Sequence, residues 1–282
     1  MKKILVLIIN SQIYPSNISV PIIKNTWAKD IPGSVQFLFV EDSTDKTYLK
    51  KDRLKISTAF KKESDDPVSY RMKYAFLWIL ENLEFDVLYR ATTTSYIDLY
   101  KLVDYVNGLN LIKLYSGPPT LYPPKITNSA FPVINQEDKD LNYANGSGYF
   151  LSRDVVELIK ENIEDLSMPH YDDVSLGYLM EKLGIKQQNS YQNNLQFFPS
   201  NKDFESGFFH YRFKLGKYSE LKLPRFLEIL IIISFHLFKK SKKNSYLYSI
   251  FAKLIINLFR YVFYIFKYLN IFYEKLFMLD KK

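Results

Sequence analysis

Two adjacent carboxylates, Asp172 and Asp173, stand just before a stretch in which Leu176, Leu179, Met180 and Leu183 recur at three- and four-residue steps. That spacing predicts one apolar helical face, and Gly184 predicts its C-terminal stop. A carboxylate held rigidly at a helix N-terminus can act as a general base. The same two residues also suit an N-cap and a first-turn charge that complements the helix dipole, with no chemistry implied.

Other segments carry residues of chemical interest. Arg90 is followed by the hydroxyl row Thr92, Thr93, Thr94 and Ser95. Gly146, Ser147, Gly148 and Tyr149 form a Gly-containing turn before a short apolar run, and glycines there permit close backbone approach to a ligand or to another strand. The glycine spacing lacks the full dinucleotide fingerprint, which argues against a Rossmann NAD site. His210 and Arg212 lie in a late aromatic segment. Ser11 and Asp42 follow apolar runs, where strand carboxyl ends collect ligands in open α/β sheets.

The elements that must position these residues alternate between strand and helix patterns. Ile4 to Ile9, Val35 to Val40, Leu54 to Ser57, Phe85 to Tyr89 and Leu111 to Tyr115 read as strands. Ile22 to Ala28, Val68 to Leu83, Asp98 to Val106 and Arg153 to Glu161 read as helices, the last capped by Ser152. Residues 116–140, broken by two Pro-Pro pairs, read as a long loop over one face. Gln196 to Phe198 and Phe208 to Phe213 read as two further short strands. The six-residue run after Met1-Lys-Lys is short for a signal sequence and has no small-residue cleavage site behind it, so a buried first strand is expected.

The chain of 282 residues is long enough for one large core or two smaller ones. It has no cysteine, which excludes disulfides and thiolate metal sites. Its 23 tyrosines and 22 phenylalanines predict aromatic interior surfaces. Of the formal charge of +8, residues 217–282 hold 13 Lys/Arg against 4 Asp/Glu, so residues 1–216 are almost neutral. A basic patch confined to the tail argues against a nucleic-acid partner for the body of the protein.

The order of these pieces resembles the Fringe and β-1,3-galactosyltransferase-like glycosyltransferases, in a bacterial-type form with an altered metal motif. Four blocks carry the resemblance: Thr26-Trp27, Phe85 to Arg90, Asn145 to Ser152, and Asp172 to Gly177 with Glu181 to Gly184 behind it. It covers about residues 1–215. It implies a GT-A nucleotide-sugar-binding domain, α/β with a mixed sheet flanked by helices. It also implies an inverting transfer from a UDP-sugar to a hydroxyl, with Asp173, or else Asp172, as catalytic base. Arg90, Thr92, Thr93, Thr94, Ser11, Asp42, Gly146, Ser147, Gly148, Tyr149, His210 and Arg212 are then expected around the donor.

One departure stands out. Where the family places aspartates for a divalent metal, this chain has Thr92 to Ser95, and neutral hydroxyls are poor substitutes for carboxylates on Mn²⁺ or Mg²⁺. His210 matches the family's late metal-ligand histidine; it can equally bond a phosphate or pack in a strand. The expectation is no required metal, or a divalent cation weakly held, with Arg90, Arg212 or Lys214 offsetting the diphosphate charge. Asp138 and Asp140 are expected in a solvated turn.

The tail, residues 216–282, changes style. Phe226 to Phe238 is apolar but short of a bilayer span. A basic cluster, Lys239 to Lys243, follows, and then a long apolar segment whose charges fall at Lys253, Arg260, Lys267 and Glu274. Seven-residue spacing keeps them on one helical side. Such a helix suits an anionic membrane surface through residues 224–282; a packed helical hairpin or a dimer seam is the plainer alternative. The combined expectation is a peripheral enzyme on the cytoplasmic face of the cell membrane, acting on a glycan or lipid-linked acceptor. The alternative is a non-catalytic, membrane-associated nucleotide- or glycan-binding protein.

Overall fold

The computed structural model describes residues 1–11, 16–121, 141–166, 171–190, 192–195, 206–213 and 226–244, together with Leu254, Asn257, Leu258, Tyr261 and Ile265. The expected strand at 196–198, residues 122–140 of the loop expected over 116–140 with Asp138 and Asp140, and Lys214 lie outside these residues; the described start of that loop is strand at Tyr115–Gly117 and Pro119–Leu121.

A mixed, mainly parallel sheet forms the body. Its centre is β1 (Ile4–Ile9), every residue of which is buried. Parallel neighbours flank it, β2 (Val35–Ser43) on one side and β5 (Val87–Thr92) on the other. Burial on both faces explains why β1 reads as a continuous apolar run, with no alternation. Beyond β2 lie parallel β4 (Arg53–Ser57) and antiparallel β3 (Tyr48–Lys50). Beyond β5 lie antiparallel β10 (Gly148–Ser152), then β7 (Tyr115–Gly117) and β11 (Gln188–Asn189). A second sheet joins β12 (Asn193–Leu195), β13 (His210–Phe213) and β6 (Ser95–Ile97). A short pair is formed by β8 (Pro119–Leu121) and β9 (Asn142–Ala144).

Helices cover both faces of the large sheet. On one face, α1 (Ser16–Asn25) and α3 (Leu99–Asn107) pack with the small sheet around Trp27, Tyr89, Phe150 and Tyr211. On the other, α2 (Pro67–Asn82), α4 (Arg153–Glu161) and α5 (Asp172–Lys182) enclose Leu7, Phe76, Tyr149 and Leu179. Asp66 caps α2 by accepting from the backbone N–H of Val68 and Ser69, and Pro67 fills the first turn, where its missing N–H costs nothing. Gly184 follows α5 with φ of 67°, as a C-terminal stop requires.

Four local expectations are corrected. The first helix begins at Ser16, not Ile22. The strand expected over Leu111 to Tyr115 begins only at Tyr115, because Lys113 takes a φ of 49° and the chain turns there. Ser152 stands at the N-cap of α4 without bonding its backbone; its hydroxyl donates to Asp154 and accepts from the Leu114 N–H instead. Lastly, the apolar run after Pro224 forms α6 (Phe226–Asn244), whose Ile231, Ile232 and Phe235 enter the core of the α/β body. Phe235 lies 4.7 Å from the Tyr96 ring and 4.6 Å from the Tyr211 ring. Ile229, Ile231, Ile232 and Phe235 of the 216–282 region are therefore buried, and burial accounts for their apolar character.

Candidate active site

The strands β1, β2 and β5 point their carboxyl ends to one edge. Asn10 and Ser11, Asp42, and Thr92 to Ser95 gather there. Because β10 runs antiparallel to β5, with Gly148 opposite Ala91, the Asn145 to Ser147 turn reaches the same edge. The start of α5 completes it, since Gly146 N–H donates to Asp173 Oδ2 at 2.7 Å.

The two aspartates have separate roles. Asp172 is buried, and its Oδ2 lies 2.8 Å from Arg90 Nη2. Burial pushes its carboxyl up to about 6; Arg90 opposes that shift and Asp173 adds to it. The Arg90 guanidinium lies over the Tyr149 ring, 5.6 Å from its centre. Asp173 is only partly buried. Its Oδ1 accepts from its neighbour Val174 N–H at 3.0 Å, and its Oδ2 accepts from Gly146. Those two bonds fix the carboxylate while leaving acceptor positions unused. Neither aspartate is the N-cap, which is Tyr171.

The glycines in this turn serve the protein's own packing. A Cβ on Gly146 would stand 2.8 Å from Asp173 Oδ2 and 3.2 Å from Arg90 Nη1. A Cβ on Gly148 would collide with the Tyr89 hydroxyl and stand 2.8 Å from His210 Cε1. Close approach is required, as expected, but to side chains of this chain.

Behind Gly148 lies a buried polar chain. The Tyr89 hydroxyl bonds His210 Nδ1, and His210 Nε2 bonds Ser95 Oγ at 2.8 Å. Ser95 Oγ lies 3.3 Å from Thr92 Oγ1, which lies 3.1 Å from Thr94 Oγ1. Burial pushes the His210 imidazole down to about 3, with Arg212 as the lesser cause, so it is neutral.

The residues expected around the donor differ in how they are placed. His210 is fully buried with both ring nitrogens engaged, so it offers no nitrogen to a phosphate or metal. Tyr149 and Ser147 are fully buried, and Arg90 is held inward by Asp172. Thr92, Thr93 and Thr94 lie at the edge as expected, with Thr92 the most open. Arg212 reaches Asn145 Oδ1 at 3.4 Å, which brings it to the turn. Asp42 pairs with Arg71 at 3.2 Å. Among the described residues, no three His, Asp or Glu side chains are placed to hold a metal ion. The donor set at the end of β5 is neutral hydroxyls, which does not fit a hard divalent cation.

Arg71 was not singled out from the sequence. It is buried, and its Nη1 donates to Asn10 O at 3.0 Å as well as to Asp42. The Asn10 side chain in turn donates to Glu41 Oε1 at 2.6 Å, and Glu41 is neutralised by Arg53 and Lys55. Its spacing from Ala75 and Ile79, at four-residue steps, places Arg71 on the apolar stripe of α2, and that signal was present in the sequence.

A family model described as Galactosyltransferase matches residues 123–191. That segment is about a quarter of the chain, and it contains both the Asn145–Gly148 turn and the Asp172-Asp173 pair. No curated protein sequence matches the chain. Among solved structures, the chain is similar to a glycosyltransferase involved in the glycosylation of the major capsid of PBCV-1. The two are 9% identical with a TM-score of 0.48, over 82% of this chain and 98% of that one.

Proposed function

We propose that this protein transfers a sugar from a nucleotide-sugar donor to an acceptor hydroxyl, with Asp173 as general base. The observation that carries the reading is the position of Asp173. It is a partly open carboxylate, fixed by Gly146 and Val174 N–H at a helix start, within the segment that matches the galactosyltransferase model. Asp173 takes the proton of the acceptor hydroxyl. The oxygen attacks the anomeric carbon as the bond to the diphosphate breaks, and the nucleoside diphosphate leaves with that electron pair. One carboxylate and an in-line approach suffice, with no covalent enzyme intermediate. Asp172 is reserved as the partner of Arg90. UDP as the nucleotide rests on the family resemblance.

The test is turnover of a nucleotide-sugar panel by purified protein, with and without EDTA, beside Asp173→Ala. Donor-selective turnover lost in the variant supports the reading. Saturable donor binding with no turnover under any acceptor would favour a non-catalytic nucleotide- or glycan-binding protein.

The acceptor is proposed to be glycan or lipid-linked, at the inner face of a membrane. Leu254, Leu258, Tyr261 and Ile265 are helical, and each is more than half exposed. Steps of four, three and four put them on one apolar face. The sequence around them is basic, with Lys239 to Lys243 before and Lys253, Arg260 and Lys267 alongside, which complements an anionic lipid surface. Among the described residues no helix is long and apolar enough to cross a membrane. Flotation with phosphatidylglycerol vesicles, lost in Leu258→Asp/Tyr261→Asp, is expected; concentration-dependent dimerisation without flotation would assign the face to a second copy.

A further inference from the structure

The buried chain from Tyr89 to Thr94 has a direction, and its direction defines what its open end can bind. Tyr89 is fully buried, and among the described residues its hydroxyl has one hydrogen-bond partner, His210 Nδ1. A phenol proton aimed elsewhere would be buried and unpaired, at a cost of about 1–3 kcal/mol. Tyr89 therefore donates and Nδ1 accepts. Since the imidazole is neutral, its proton sits on Nε2 and is donated to Ser95 Oγ at 2.8 Å. Ser95 is fully buried, and the remaining partner for its own proton is Thr92 Oγ1, at 3.3 Å. Thr92 and Thr94 share one hydrogen bond at 3.1 Å. Whichever of them donates in it, one hydroxyl proton is left over, and it belongs to a group at the carboxyl edge of β5.

We propose that this oriented relay makes the Thr92–Thr94 pair a proton-donating seat for the diphosphate of the nucleotide substrate. The inference rests on the transferase reading above and says how the diphosphate is held there. A pair of hydroxyls free to rotate can donate or accept, and so has no preference between anion and cation. Here the interior fixes Thr92 as an acceptor toward Ser95, so the pair faces outward as a donor. That polarity leaves a proton for an anionic oxygen and takes up one of the lone pairs that a metal ion would use, on hydroxyls that already suit a hard cation poorly. His210 and Ser95 are positioning residues in this scheme, because they act through Thr92.

The test is calorimetric binding of UDP and of inorganic diphosphate to the full chain in EDTA, with Thr92→Val/Thr94→Val and Ser95→Ala. The double variant should weaken both ligands at least tenfold, the scale of a lost hydrogen bond to a charged group. Ser95→Ala should weaken them less, and it should shift the His210 ¹⁵N signals, which a merely structural serine far from the ring would not do. Wild-type ¹⁵N shifts should report the Nε2–H tautomer. Unchanged affinity in both variants, an Nδ1–H tautomer, or diphosphate binding that appears only with added Mn²⁺ each overturns the relay. If those results come with intact sugar transfer, the function stands and the seat alone is wrong. Absence of any nucleotide or nucleotide-sugar binding by the wild type overturns both.

Discussion

The Arg90 guanidinium lies 2.8 Å from the Asp172 carboxylate, with the two side chains 4% and 8% exposed. A buried pair of this kind is a weak source of net stability but costly to break from one side. Asp172→Asn leaves the Arg90 cation unpaired and should destabilise by about 3–5 kcal/mol in urea unfolding. Arg90→Met should cost a similar amount, and the double variant clearly less than the sum. A cost under about 1 kcal/mol for either single variant would mean that the charges are not desolvated as placed.

Gly148 should resist substitution for a steric reason. Its absent Cβ leaves room for the Tyr89 hydroxyl and the His210 ring. Gly148→Ala must push both aside and should cost about 1–3 kcal/mol, as overpacking typically does. Gly33→Ala is the control, because nothing lies within 4 Å of its Cβ position. Equal thermal stability of the two variants would contradict the packing described here.

These predictions draw on features that the sequence revealed unevenly. The parallel core was legible, because β1 and β2 are long apolar runs and a strand buried on both faces has no other signature. The start of α5 and the Asn145–Gly148 turn were legible from acid, glycine and period alone. What the residues touch was not. Asp172 and Asp173 are chemically identical and adjacent, and only the direction of each side chain makes one the partner of Arg90 and the other the open carboxylate. The residue type of His210 suited a ligand and a packed strand equally, and only the pairing of its strand with β6 shows it turned into the interior. The second sheet joins residues more than 100 apart in sequence, a relation that no local period encodes.

His210 should make stability depend on pH. Burial holds its folded value near 3, against an ordinary value of 6.5. The stabilisation is therefore complete above pH 6.5, is lost as the pH falls because the unfolded chain binds the proton first, and levels off near pH 3. At about 1.4 kcal/mol per unit, it contributes roughly 2 kcal/mol of loss between pH 7.5 and pH 5. The difference in urea-unfolding free energy between these two pH values should shrink by that amount in His210→Gln. An unchanged difference, or an imidazole that titrates near 6 by NMR in the folded protein, would contradict the burial.

Asp173 separates chemistry from folding more cleanly. It is partly open, and an asparagine in its place retains one oxygen, which can accept from Gly146 N–H, while its amide nitrogen faces Val174 N–H and that bond is lost. Asp173→Asn should therefore cost about 1–2 kcal/mol, the scale of one hydrogen bond. It removes the basic oxygen, so kcat should fall by about 10²–10⁴, the usual contribution of a general base. Donor affinity should stay within a few-fold, since the proposed diphosphate seat lies at the end of β5. The decisive comparison is kcat against donor Kd in the same preparation. A large loss of donor binding with little further effect on kcat would make Asp173 part of the binding site and would move the base elsewhere.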